Sequence, residues 1–144
     1  MSETEQIFFV YGTLKRGFNN HHLIEGLHCI GEGVTIEKRF RMVQLQTRVA
    51  RGNFFCPGVQ IETDGLQIRG ELYSVMEEKT KQALDRLEDE GIRYKKQPVP
   101  VRLDNGEEVE AWIYVHTDTN EPLIEPAVQV NEKGGVYSWV HPSQ

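Results

Sequence analysis

Two stretches of this chain hold residue types that can do chemistry. The first is Tyr11-Gly12-Thr13-Leu14-Lys15-Arg16-Gly17. A short apolar run, Ile7-Phe8-Phe9-Val10-Tyr11, ends there and a glycine-containing loop begins. Such a loop can turn successive backbone N–H groups toward one point and hold an anion, or an oxygen that is gaining charge. On local pattern alone an ordinary strand-to-loop turn is the better reading. The stretch is neither a P-loop nor a G-x-G-x-x-G, so it does not imply nucleotide binding. The second stretch is Leu84-Asp85-Arg86-Leu87-Glu88-Asp89-Glu90-Gly91. Three adjacent acids at the C-terminal end of a helix repel one another and face the negative end of its dipole. Both effects raise a carboxyl pKa, which suits a general base. Composition alone favours a solvated acidic helix end, because charge runs are mostly solvated faces. Within the run, Glu88 lies one turn beyond Leu84 and beside the apolar stripe, where a pocket can draw it in. Asp89 is expected to face water.

Other reactive residue types form no pattern. Cys29 and Cys56 make no CxxC pair and read as two buried small hydrophobes in a reducing compartment. The histidines, His21, His22, His28, His116 and His141, show no metal-ligand spacing with a Cys or a carboxylate. A structural zinc site is not expected. A Cys–His catalytic pair stays open on spacing, since such partners meet only in space.

The elements that must position these residues follow from periodicity. Ile7 to Tyr11 reads as a buried central strand, and Gly12 to Asn20 as a loop. His21 to Leu27 reads as one or two helical turns with Asn20 as N-cap. Phe40 to Thr47 is an expected strand. Phe54 to Ile61 is another, interrupted at Pro57-Gly58, where proline argues for a bulge or an edge. Asp64-Gly65 is a turn signal and Leu66 to Val75 the next strand. Ser74-Val75-Met76-Glu77 has the form of a capping box, opening a helix from Glu78 to Asp89 that Gly91 ends. Met76, Thr80, Ala83, Leu84 and Leu87 share its apolar side. Tyr94 to Leu103 and Val109 to Val115 flank Asp104-Asn105-Gly106-Glu107, a hairpin signal because Asn and Gly tolerate positive φ. Val109, Ala111, Ile113 and Val115 lie on one face of that strand, with Glu110, Trp112 and Tyr114 on the other. The prolines and glycines after His116 suggest a tail laid over the core. Mostly strands with one good helix fit an α+β domain built on a closed or strongly coiled sheet.

Composition bounds the function. The chain has 144 residues with 16 Lys+Arg and 22 Asp+Glu, a net charge of −6. That length fits one domain. An acidic chain without a basic block is a poor phosphate tracker, which argues against nucleic acid as a partner. No apolar run nears the roughly 18 residues of a membrane span. The polar, acidic start, Met1-Ser2-Glu3-Thr4-Glu5-Gln6, does not read as a signal peptide, so a cytoplasmic location is expected.

Taken together, the two reactive stretches carry a resemblance. Val10-Tyr11-Gly12-Thr13-Leu14-Lys15-Arg16-Gly17, followed by Asn20-His21 and an apolar pair, resembles the opening signature of the gamma-glutamylcyclotransferase-like family. Leu84-Asp85-x-x-Glu88, followed by Tyr94 six residues later, is similar to its second signature. Gly70-Glu71-Leu72-Tyr73 and the strand from Val109 to Tyr114 also fit. The Lys-Arg-Gly and Asn-His details are most similar to the gamma-glutamylamine cyclotransferase branch. The resemblance implies a small, partly closed mixed β-barrel with one main helix and short flanking helices. The single domain would span 1–144, with a catalytic core of about 7–115 and a C-terminal tail, 116–144. It implies an intramolecular reaction of the lyase or acyltransferase type, without cofactor or metal. The α-amine of a γ-glutamyl group attacks its own γ-carbonyl, giving 5-oxoproline and a free amine. By its match to the motif, Glu88 is the catalytic acid/base. Tyr11, Gly12, Thr13, Leu14 and Tyr94 are the substrate-binding residues, the amides of 12–14 holding a carboxylate or the developing oxyanion. Glu90-Gly91 offers a rival register, but only Glu88 keeps both the Leu-Asp offset and the six-residue step to Tyr94. Lys96 stands where the family commonly has arginine. The expected substrate is a γ-glutamyl amine such as γ-glutamyl-ε-lysine, handled by a monomer. γ-Glutamyl amino acids, glutathione, and a non-catalytic small-acid or protein-binding role are the alternatives.

Overall fold

The computed structural model describes residues 5–12, 15, 21, 24–49, 52–87, 94–117, 123, 127 and 129–140, without the side chains of 46–49, 52–55 and 87. Among these residues there are nine strands and one α-helix. In chain order they are β1 (Gln6–Val10), β2 (His28–Thr35), β3 (Phe40–Val49), β4 (Gly52–Ile61), β5 (Gln67–Val75), α1 (Glu78–Leu87), β6 (Tyr94–Leu103), β7 (Glu108–His116), β8 (Val130–Lys133) and β9 (Val136–Trp139).

Five of the strands close on themselves in the order β1-β7-β6-β2-β5, and β5 pairs back onto β1. The β1–β7 contact is parallel, with Phe8 opposite Trp112, and the other barrel pairings are antiparallel. Side-chain alternation explains the closure. Phe9 and Tyr11 join one buried cluster with Ile68, Leu72, Val99, Val101, Leu103, Ala111, Ile113 and Val115. Phe8 and Val10 point the other way, into a cluster with Tyr73, Val75, Leu84, Tyr94 and Tyr114. A strand buried on both faces reads as one continuous apolar run, which is what β1 shows. α1 covers this second cluster through Leu84.

The β3–β4 hairpin forms its own two-stranded sheet, bridged to the barrel where Phe40 pairs with Leu66. Its two faces divide between the clusters. Phe40, Met42 and Val59 join the first, while Val43 and Leu45 join the second.

Several expectations are corrected here. Ser74 lies inside β5 and donates its hydroxyl to Glu5, so it does not cap α1. The Glu77 carbonyl instead accepts the first amide bonds, from Thr80 and Lys81. Met76 precedes the helix and is 50% exposed, so it is not part of the apolar stripe. Pro57 sits opposite Gln44 in an unshifted ladder on a strand with one neighbour. The edge reading of that proline holds and the bulge does not. In the 104–107 turn only Gly106 takes positive φ, at 93°. Gly106 N–H bonds to Leu103 O, and Leu103 N–H to Glu107 O. The expected hairpin is present, built on a type I turn with a glycine bulge in which Asn105 does not take positive φ. The one or two helical turns expected after Asn20 are of the tight 3₁₀ type, with Ile24 N–H bonding to His21 O and Leu27 N–H to Ile24 O. Asn20 and Gly91 lie outside the described residues. Cys29 and Cys56 are not joined in a disulfide and are half-buried rather than fully buried.

Three strands have no counterpart in the sequence reading. β2 completes the barrel between β6 and β5. After His116, β8 and β9 form a hairpin whose second strand runs parallel to β5 and buries Trp139 in the barrel cluster.

Candidate active site

The first reactive stretch begins where β1 ends. Tyr11 is buried and its hydroxyl donates to Tyr114 O at 2.7 Å. The next residue has no room for a side chain: a Cβ on Gly12 would stand 2.5 Å from Pro57 Cγ and 3.0 Å from Pro57 Cδ. The chain then turns, with Lys15 N–H bonding to Gly12 O at 3.0 Å. Lys15 sends its ammonium to Trp139 O at 2.8 Å, tying the turn to β9. Burial pushes the Lys15 pKa down, against the opposing pull of Glu71 and Glu32 and with a smaller push from Arg69.

Tyr94 opens β6 close by. Its buried hydroxyl donates to Pro57 O at 3.0 Å, and its ring lies edge-on to His116 at 5.3 Å. Gln60 Nε2 lies 3.1 Å from His116 Nδ1. Tyr94 and Gly12 therefore meet at Pro57, one at its carbonyl and the other at its ring. Pro57 is a residue that sequence reasoning did not assign to the site. The only signal was a Pro-Gly pair inside an otherwise β-type run.

The second reactive stretch is anchored at Asp85. Its carboxylate accepts the Tyr114 hydroxyl at 2.6 Å and pairs with the Lys96 ammonium at 3.3 Å. Lys96 faces Tyr114 across the β6–β7 ladder, and its ammonium lies 5.6 Å from the Phe8 ring centre and 5.5 Å from that of Trp112. A lysine here makes a single-point contact, where an arginine would present a planar fork. Nearby, Tyr73 donates to Glu71 at 2.8 Å, and the His21 ring lies 6.1 Å from that of Tyr73.

Of the residues expected to act, Gly12 and Tyr94 thus meet at Pro57, while the Tyr11 side chain is tied to Tyr114. Thr13, Leu14 and Glu88 lie outside the described residues. Leu87, the residue before Glu88, is the last of α1. Among the described residues no group of three or more His, Cys, Asp or Glu could hold a metal ion. No described helix is long and apolar enough to cross a membrane.

Comparison with known proteins bears on the same segments. The model of the family described as "Gamma-glutamyl cyclotransferase, AIG2-like" matches residues 8–134. A protein named "Putative gamma-glutamylcyclotransferase" from Methanocaldococcus jannaschii is 34% identical over 119 residues, covering 81% of this chain and 89% of its own. A protein of the same name from Drosophila melanogaster is 32% identical over 117 residues, covering 74% of this chain and 67% of its own. In fold, the chain is similar to the crystal structure of an AIG2-like protein from Mus musculus, with a TM-score of 0.63 at 23% identity over 93% of this chain and 95% of that one.

Proposed function

The chain belongs to the AIG2-like gamma-glutamyl cyclotransferase family, and on that premise we propose that it releases 5-oxoproline from γ-glutamyl amines. The family match across residues 8–134, which takes in both reactive stretches, carries the reading. Glu88 is the general acid/base. At neutral pH the substrate's α-amine is largely an ammonium and cannot attack. Glu88 takes its proton, the amine nitrogen bonds to the γ-carbonyl carbon, and the ring closes. As the bond to the outgoing amine breaks, the ring nitrogen sheds its second proton; Glu88 hands one proton to the leaving nitrogen, and the other ends on that amine as its ammonium. Nucleophile and electrophile share one molecule, so the protein's further task is to fold the glutamyl chain into attack geometry.

The amides of Gly12, Thr13 and Leu14 hold the glutamyl carboxylate or the oxygen that gains charge. The close seat of Gly12 on Pro57 supports this role, because it fixes the root of that loop against a strand. The Tyr11 and Tyr94 hydroxyls donate to backbone carbonyls. To a substrate they offer ring faces and an acceptor lone pair. No cofactor enters the scheme. The protein acts as a cytoplasmic monomer.

The test is an assay of 5-oxoproline release across γ-glutamyl-ε-lysine, other γ-glutamyl amines, γ-glutamyl amino acids and glutathione. Turnover highest on γ-glutamyl-ε-lysine or a related amine is expected. Preference for glutathione or γ-glutamyl amino acids would move the assignment to that substrate class. Tight 5-oxoproline binding with no turnover of any of them would make the protein a binding module.

A further inference from the structure

We infer that Asp85 and Tyr114 are positioning residues that lock the last turn of α1 to the end of β1 and so serve the base proposed three residues further along the chain; the inference rests on Glu88 being that base. Asp85 stands in the last turn of α1, three residues before Glu88. Tyr114 touches both reactive stretches at once. Its hydroxyl donates to Asp85 Oδ1 at 2.6 Å, and its backbone carbonyl accepts the Tyr11 hydroxyl at 2.7 Å. One residue of β7 therefore joins the end of the helix to the end of β1.

The join is stiff. Tyr114 is buried, and its ring stacks on Phe8 with centroids 6.1 Å apart and planes 22° off parallel. The bond to Asp85 is charge-assisted, and such bonds are shorter and stronger than neutral ones. Lys96 adds a second partner to the same carboxylate at 3.3 Å, from the strand directly across the ladder. Leu84 alone, buried among apolar neighbours, would hold the helix on the barrel without fixing its rotation. Apolar contact has no direction, whereas a hydrogen bond does. Stability does not require an ionised pair at this place, since well-packed apolar residues serve stability as well or better. What the pair supplies is a fixed azimuth for the helix end. A base must come within about 3 Å of its proton, and an error of about 1 Å can cost about 100-fold in rate.

A mutant cycle on 5-oxoproline release tests this. Tyr114→Phe removes one hydroxyl and leaves the ring on Phe8 and the carbonyl for Tyr11. It is expected to lower kcat about 10-fold while KM stays within about 2-fold, and to do nothing further in a Glu88→Gln background. Asp85→Ala should reproduce the loss, and the Asp85→Ala/Tyr114→Phe pair should lose no more than either alone. Wild-type kcat in Tyr114→Phe overturns the inference. So does an equal loss with and without Glu88, or full additivity of the Asp85 and Tyr114 changes. Wild-type turnover in Glu88→Gln itself overturns the base assignment, and the inference with it. Thermal melts of each variant verify that the folded fraction is unchanged.

Discussion

Replacing Gly12 by alanine is expected to displace the turn that follows β1. The new Cβ would stand 2.5 Å from Pro57 Cγ, where ordinary contact begins near 3.4 Å. One of the two groups must therefore move by about 1 Å, given the usual carbon–carbon optimum. Gly12 has no positive φ, so alanine meets no backbone strain and the contact is the whole effect. Pro57 is poorly placed to yield. Its ring is not a flexible chain end, and its carbonyl is held by the Tyr94 hydroxyl at 3.0 Å. Overpacking of this kind costs about 1–3 kcal/mol, or roughly 3–10 °C in Tm for a domain of this size. If the turn moves instead, the amides proposed to hold the substrate oxygen would miss it by about 1 Å, which can cost about 100-fold in turnover. The assay pairs thermal melting with 5-oxoproline release. Pro57→Ala supplies the decisive partner, because it deletes Cγ and Cδ yet keeps the carbonyl for Tyr94. The Gly12→Ala/Pro57→Ala double variant should regain most of what Gly12→Ala loses. Full stability and turnover in Gly12→Ala alone would refute the reasoning, and so would a double variant no better than the single.

Other expected outcomes are simpler. Glu88→Gln should keep its melting temperature and lose about 10²- to 10⁴-fold in kcat, roughly 3–5 kcal/mol of barrier; a loss under tenfold in a turnover assay would exclude it as the base. Trp139 is 1% exposed in the barrel cluster, so Trp139→Ala should cost about 3–5 kcal/mol in urea unfolding; a cost below 1 kcal/mol would mean that β9 is an appendage. Leu84→Ala, at a residue 1% exposed, should cost about 2–5 kcal/mol by the same measurement. Asp104 is held below its ordinary 3.8 by the hydrogen bond from Arg69. Its contribution is thus complete above that pH and lost as pH falls through the lowered folded value. The pair is largely exposed, so Asp104→Asn should change stability at neutral pH by less than about 1 kcal/mol, and less still in high salt; a larger change in denaturant melts would contradict the exposed geometry.

What the sequence made legible was whatever rests on local periodicity. The both-sided burial of β1 shows as Ile7 to Tyr11. The faces of β7 show as the alternation from Val109 to Val115. α1 shows as Leu84 at helical spacing. β2 was hidden because Gly31 and Gly33 interrupt its apolar pattern, and glycine reads as a breaker. The fold needs them there. The ladder shifts register between Cys29 and Gly31, and a Cβ on Gly33 would stand 2.6 Å from the Arg102 carbonyl oxygen. The capping box failed because Ser74 is claimed by strand pairing and by Glu5, a contact far away in sequence. In the same way, the types of Tyr11, Gly12, Asp85 and Tyr94 suggested a site. Their meeting at Pro57 and Tyr114 depends on barrel closure, which no local spacing encodes.

That closure also orders events in time. β1 is made before both of its partners: it is flanked by β5 on one side and β7 on the other, with Phe8 facing Tyr73 and Trp112. Until β7 has been synthesised, the apolar strand that carries the reactive turn has an unpaired edge. Closing so long a loop is slow, and exposed apolar strands invite association while they wait. The turn is then clasped by Lys15 to the carbonyl of Trp139, in β9, which follows every other described strand in the chain. A turn made before β2 is thus set only once β9 is in place. Fragments ending before β9 are expected to be prone to aggregation during synthesis, however sound their barrel strands.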